Sequence, residues 1–276
     1  MQVITAIRSL AVYSLCIAFA SAFAFTACSA TAQMTDKEVE LFVRKPISAT
    51  AFENVRRKLS QGHDAPEKKL TRMSFRLAET YIEPDSKTVE PFQVAETVVD
   101  EWQGDFVVLY TKTESPSRGL IHTRTLSYLG LIDVVARTAW APSAPATSIP
   151  SIHSVETSEV EVTSGVPARP TADSTFVLRL TRSGAAIFGG GSKLQFDKKC
   201  EVGAPNRHEI LGEVLPVVCT SWTVPLATRV STSKYLFSKS YGWYFPRSIG
   251  LWTISKPFFS PHRIRHETNF DLTSVE

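Results

Sequence analysis

Cysteine, glycine and an excess of one charge are all scarce in this sequence, and each scarcity excludes a class of protein. Four cysteines among 276 residues are too few for a small domain held together by several disulfides. The 13 glycines are far too few for a collagen-like chain. With 30 basic and 27 acidic residues the net charge is only +3, which lacks the positive excess of a nucleic-acid-binding protein.

Long apolar runs and internal repeats are also missing from most of the chain. After residue 32, charges or prolines interrupt every apolar segment, so no later membrane-spanning helix is predicted. The remaining composition, 43% hydrophobic and 21% charged, is that of a chain that can bury a large core.

Residues 1–32 predict a signal peptide, because Arg8 precedes an uncharged stretch from Leu10 to Phe25 and small residues follow it. Two processing sites compete. Cleavage after residue 32 would release a soluble protein. Alternatively, residues 25–28 (FTAC) resemble the lipobox of bacterial lipoproteins, in which case Cys28 would carry the lipid anchor and the protein would be sorted to the outer membrane.

The remaining two cysteines outside the leader predict one disulfide. Cys200 and Cys219 would lie in an oxidising compartment after export, where such pairs form bridges. No Cys-x-x-Cys pair is present, so a zinc site is not predicted.

The chain after the leader divides into two predicted regions. Residues 33–72 form an N-terminal helical region, in which Thr50 and Glu53 have the spacing of a capping box. Residues 73–276 form an antiparallel β domain. Within it, a segment rich in Pro and Ser at residues 141–174 predicts a long loop, in which residues 154–163 could form an exposed edge strand.

Alternation of apolar and polar residues with period two predicts the strands of this domain. No regular alternation of helices and strands is present, so the sheet is expected to be antiparallel. The predicted strands cover residues 73–81, 92–99, 106–113, 120–128, 131–139, 176–181, 217–224, 234–241, 251–255 and 263–272.

None of the patterns associated with catalysis is complete. Ser231 and Lys234 have the spacing of Ser-Lys acyl enzymes, but they lie in a predicted strand and without the companion motifs. His262 and His266 share one face of a predicted strand about 13 Å apart, too far to bind one metal ion. The glycines at 189–191 suit a hairpin turn better than a phosphate-binding loop. We therefore predict no catalytic residues, metal or cofactor.

Aromatic residues crowd towards the C-terminus and suggest a ligand-binding surface or a core. Tyr235, Trp243, Tyr244 and Trp252 are the candidate ligand-binding residues. The segment 243–250 (WYFPRSIG) resembles the strand-turn-strand of uncharacterised periplasmic β-sheet domains that are similar to bacterial lipoprotein carriers. This resemblance implies a mainly β fold, with a curved antiparallel sheet forming an open or half barrel.

Together these observations predict a protein of the bacterial cell envelope, either periplasmic or an outer-membrane lipoprotein. We expect it to be non-enzymatic and to bind an apolar ligand or another envelope protein, with a membrane contact through Cys28 if that residue is lipidated. Two alternatives stay open: a periplasmic hydrolase of glycans or esters, and a structural subunit of an envelope complex.

Overall fold

Two short helices precede a long series of strands. The structure is a computed structural model that describes residues 36–47, 49–59, 66–83, 86–116, 119–140, 151–186, 189–224, 229–255 and 262–276. Helix α1 covers Asp36–Val43 and helix α2 covers Ala49–Leu59. The strands are β1 (Arg72–Glu83), β2 (Ser86–Val89), β3 (Gln93–Gln103), β4 (Phe106–Ser115), β5 (Gly119–Tyr128), β6 (Ile132–Trp140), β7 (Ser151–Ser164), β8 (Thr175–Ala186), β9 (Gly189–Val202), β10 (Asn206–His208), β11 (Gly212–Val224), β12 (Arg229–Ser238), β13 (Trp243–Ser255) and β14 (His262–Val275).

Twelve of these strands form one closed antiparallel barrel. The ring follows the chain: β1 pairs with β3, β3 to β9 pair in order, β9 pairs with β11, and β11 to β14 pair in order. Strand β14 then returns to β1. The short strands β2 and β10 lie beside the ring, on β1 and β11 respectively. The barrel is therefore an up-and-down meander whose first and last strands meet.

The expectation of an open or half barrel is wrong, because the two strands that would form its edges pair with each other. Ten residue pairs join β1 to β14, from Met73↔Val275 to Ile82↔Arg265. An open sheet would leave the backbone N–H and C=O groups along both edges without partners, and closure satisfies them. The broader expectation of a β-sheet protein is confirmed.

The predicted loop at residues 141–174 is also wrong over much of its length. Residues 151–164 form β7, which pairs with β6 on one side and β8 on the other. It is therefore an internal strand of the barrel and not an exposed edge. Its buried Thr157 and Val160 pair with residues of β8, while residues 141–150 lie outside the described part of the chain.

Side chains alternate between the interior and the outer surface of the barrel. On β3, Gln93, Ala95 and Thr97 are buried and the residues between them are exposed. On β14, Arg265 Nη2 and Glu267 Oε2 lie on the face opposite Phe270 and Leu272 and form an ion pair at 3.0 Å.

The connection between β5 and β6, residues 129–131, contacts strand β13; we call it the β5–β6 turn. The backbone amide of Tyr244 donates a hydrogen bond to the carbonyl oxygen of Leu129 at 2.8 Å. Because β13 lies five strands from β5 round the ring, this contact joins nearly opposite walls. Gly130 has a φ of 75°, and a Cβ there would lie only 2.5 Å from the Tyr244 carbonyl oxygen.

The two helices pack against β5 to β7. Val39 and Val43 of α1 are buried against Ala139 of β6. At the end of α2, the Tyr128 hydroxyl donates to the Leu59 carbonyl oxygen at 3.3 Å. No helix within the described residues is long and apolar enough to span a bilayer.

Candidate functional site

The barrel contains a cavity of about 480 Å³ that is partly open to solvent. Every strand of the ring except β3 and β7 contributes a lining residue. This volume falls within the range of pockets that bind small molecules, about 300–1,000 Å³. Barrels of more than eight strands are wide enough to leave such space between the side chains of opposite walls. The cavity is therefore the candidate functional site.

One wall of the cavity is apolar. It is built from inward-facing side chains of β14, β1 and β4, which are neighbours or near neighbours in the ring. The residues are Phe270, Met73 and Leu109. Phe270 packs edge-on against Phe75 of β1, with ring centres 6.0 Å apart, so this wall is continuous with the hydrophobic core.

Hydroxyl groups line a second part of the cavity. Ser221 of β11 lies opposite Ser231 of β12, and Ser233 and Tyr235 follow on the same face of β12. Ser127 on β5 contributes another hydroxyl, which donates to the Ile132 carbonyl oxygen at 3.3 Å. This part of the wall can exchange hydrogen bonds with a polar ligand group.

Lys198 brings a positive charge into the interior. It lies on β9 and is only 6% exposed. Its Nζ donates to the carbonyl oxygen of Leu131 in the β5–β6 turn at 2.9 Å and to the Tyr235 hydroxyl at 3.2 Å. Both acceptors are uncharged, and Lys198 forms no ion pair with a carboxylate among the described residues.

Two further N–H groups of the cavity lining lack acceptors. Arg182 of β8 buries its Nε, and Trp243 of β13 buries its indole Nε1, and neither atom has a hydrogen-bond partner within the described residues. Trp243 as a whole is 1% exposed. Both atoms are donors only, so each could donate a hydrogen bond to an acceptor atom of a bound ligand.

Asp133 is the one acidic side chain among the lining residues of the described chain. It is exposed to solvent, in contrast to Lys198. Its backbone carbonyl accepts the Thr157 hydroxyl at 2.7 Å. Against Arg182 and Lys198, this carboxylate leaves a lining charge of two minus one, or +1.

Three of the four aromatic residues predicted to bind ligand line the cavity: Tyr235, Trp243 and Tyr244. Tyr235 and Tyr244 meet edge to face, with ring centres 6.2 Å apart. Burial raises the pKa of the Tyr244 hydroxyl well above its ordinary value, so it stays protonated and donates to the Pro167 carbonyl oxygen at 2.6 Å. Trp252 pairs through its backbone with Arg265, and its side chain lies outside the described residues.

Sequence reasoning missed Lys198 and Arg182, although the alternation that predicts strands also contains them. Lys198 lies two residues before Cys200, so it shares the face of a half-cystine that is fully buried. Arg182 follows the buried Leu178 and Leu180 at the same spacing of two. A charged residue in phase with buried neighbours on a strand was therefore the available signal.

The predicted disulfide is confirmed. Cys200 and Cys219 are bonded, their Cα atoms lie 4.0 Å apart, and they are directly opposite each other on β9 and β11. Both are fully buried. Their position beside Lys198 makes the bridge part of the wall that carries the cation.

The histidine and Ser-Lys candidates from the sequence do not form a site in the cavity. His266 stacks on Tyr81 with ring centres 4.5 Å apart, and its Nε2 lies 3.8 Å from Glu79 Oε2. The side chain of His262 lies outside the described residues. Ser231 lines the cavity, while Lys234, three residues later on the same strand, is exposed. No group of metal-binding side chains occurs among the residues that the structure describes.

Comparison with protein-family models, with curated proteins and with solved structures found no match to this chain. The predicted signal peptide and Cys28 lie outside the described residues.

Proposed function

We propose that this is an exported, non-enzymatic protein of the bacterial envelope that binds a small, partly apolar molecule inside its barrel. The observation that carries the binding function is the cavity of about 480 Å³, whose apolar wall faces a wall of hydroxyl and N–H groups. Ligand sites in proteins combine these two features, because apolar contact supplies affinity and a few polar groups fix orientation.

The envelope location is supported by the leader-like sequence of residues 1–32 and by the buried disulfide, since disulfides persist in oxidising compartments such as the periplasm. The resemblance of residues 243–250 to lipoprotein-carrier-like domains stays part of this proposal. Intact-mass analysis of the mature protein tests the proposed export. A chain that starts at Gln33 indicates a soluble form, whereas a lipid-modified start at Cys28 indicates a lipoprotein.

Titration with the neutral fluorescent probe N-phenyl-1-naphthylamine tests ligand binding directly. We expect saturable binding to the purified protein. Ser221 faces the cavity and Thr220, its neighbour, faces outward. Ser221→Phe should therefore fill the cavity and weaken probe binding about tenfold or more, whereas the matched control Thr220→Phe should leave it unchanged. Equal binding by both variants, or no binding by the wild type, would contradict the proposal.

The two alternatives predict different results. A hydrolase of glycans or esters would turn over substrate and lose turnover in the His266→Ala variant, since His266 and Glu79 are the one His–carboxylate pair inside the described barrel. A structural subunit would co-purify with a defined envelope complex and would show no saturable binding of the probe.

A further inference from the structure

We infer that the ligand is an anionic amphiphile, whose acidic headgroup binds between Lys198 and Arg182 and whose apolar body lies against the opposite wall. This inference rests on the proposed function, because it specifies the ligand of the same cavity. It follows from three features of the lining: a buried cation without a carboxylate partner, buried N–H groups without hydrogen-bond partners, and an apolar wall on the far side of the barrel from the two cations.

The first feature is the environment of Lys198. An ammonium group carries three N–H donors, and two of them are used by the Leu131 carbonyl oxygen and the Tyr235 hydroxyl. Both partners are neutral. Removing a charge from water is costly unless an opposite charge compensates it. A ligand anion beside the third N–H of Lys198 would provide that compensation.

The second feature is the pair of buried N–H groups, Arg182 Nε and Trp243 Nε1, that have no hydrogen-bond partner within the described residues. Buried polar groups in proteins are nearly always hydrogen-bonded, so two buried N–H groups without partners in one cavity are unusual. A guanidinium binds carboxylate and phosphate oxygens through parallel hydrogen bonds. The oxygens of an acidic headgroup would therefore satisfy the donors that the protein leaves unmatched.

The third feature is the position of these groups in the ring. Lys198 and Arg182 lie on the adjacent strands β9 and β8, four residues apart along them, and the paired residues Leu180 and Phe196 line the cavity between the two cations. Met73 lies on β1. Counting through β11, β12, β13 and β14, β1 is the fifth strand from β9, so the cationic and apolar walls are nearly opposite. A ligand that satisfies both walls must have an anionic end and an apolar end.

Competitive displacement of N-phenyl-1-naphthylamine by matched ten-carbon amphiphiles tests this inference. Decanoate and decyl phosphate should displace the probe from the wild-type protein at concentrations about tenfold or more below decanol, because a charge-assisted hydrogen bond stabilises only the anions. The tighter of the two anions identifies the headgroup as carboxylate or phosphate.

Variants of single cations show where the anion binds. Arg182→Gln should reduce the preference for the anions over decanol about tenfold while decanol binding stays the same. Lys198→Met should also reduce the preference for the anions over decanol. The control is Lys199→Met, which removes the same charge from the neighbouring, outward-facing position, where Lys199 pairs with Glu201 at the surface.

Each outcome is informative. If the probe binds but decanol competes as well as both anions, the inference about the headgroup is wrong and the proposed binding function stands. If neither the probe nor any amphiphile binds, the headgroup inference and the proposed binding function are both wrong. Lys198 also donates a hydrogen bond to the β5–β6 turn, so the thermal unfolding of each variant is measured alongside binding. If Arg182→Gln folds and keeps the full preference for the anions, the inference is wrong, even if Lys198→Met does not fold.

Discussion

Loss of the Cys200–Cys219 disulfide is expected to lower the free energy of unfolding by about 3 kcal/mol. The two cysteines are 19 residues apart in sequence, and a cross-link that closes a loop of this length restricts the unfolded chain by about that amount in the chain-entropy model. For a chain of this size, 1 kcal/mol corresponds to about 2–4 °C in the melting temperature, so reduction should lower it by roughly 6–12 °C.

The assay is equilibrium unfolding in urea, with and without a thiol reductant, followed by tryptophan fluorescence. Both half-cystines are fully buried, so the reduced sample is prepared by unfolding in reductant and refolding. The double variant Cys200→Ala, Cys219→Ala should unfold at a still lower urea concentration, because it loses the cross-link and also the buried side-chain volume.

Comparison of these samples separates the two effects. The wild type with reductant measures the cross-link alone, and the double variant should not respond to reductant. If mass spectrometry shows the bridge but the oxidised and reduced wild-type proteins unfold at the same urea concentration, the loop-closure reasoning is wrong.

Two further predictions concern the turn glycines and a histidine. Gly130→Ala should lower the free energy of unfolding by about 3 kcal/mol or more, because the new Cβ would clash with Trp243 and the alanine would have to adopt a positive φ. The control Gly104→Ala has a similar φ but open space around it, so it should lower the free energy of unfolding by only about 1–2 kcal/mol. Equal losses for the two variants in urea unfolding would refute the packing argument. Desolvation, helped by the charge of Arg247, lowers the pKa of His208 in the folded protein. As the pH drops, the unfolded chain therefore protonates this histidine first, and the free energy of unfolding should fall below about pH 6.5. An NMR titration midpoint of His208 at or above that pH would contradict this prediction.

Much of the strand content could be predicted from the sequence, because a strand with one buried face repeats its apolar residues with period two. Strand β5 shows this well: its predicted range, 120–128, differs from the structure by one residue. Strand β9 was not predicted, since Lys198 and Lys199 interrupt its apolar alternation. The prolines on both sides of β7 predict a loop there, with at most an edge strand, because nothing local indicates that it pairs on both sides.

Closure of the barrel could not be predicted by the same reasoning. The pairing Met73↔Val275 joins residues about 200 positions apart, and no local pattern encodes which strands become neighbours. The cavity could not be predicted for the same reason, because strands that are distant in sequence line it. Tyr235 and Trp243 were identified by aromatic density alone, whereas the cationic wall depends on which face of β9 points inward, and that is known only once the barrel is closed.

The β5–β6 turn links the stability of the barrel to the proposed ligand site. Its Leu129 carbonyl oxygen accepts a hydrogen bond from β13, and its Leu131 carbonyl oxygen accepts one from Lys198. A ligand anion beside Lys198 would add a charge-assisted bond to the group that holds the turn, and a ligand that binds only the folded state raises its stability. We therefore expect an anionic amphiphile to raise the melting temperature of the wild type. Arg182→Gln should reduce that increase without changing the turn, whereas Gly130→Ala should destabilise the protein even without ligand.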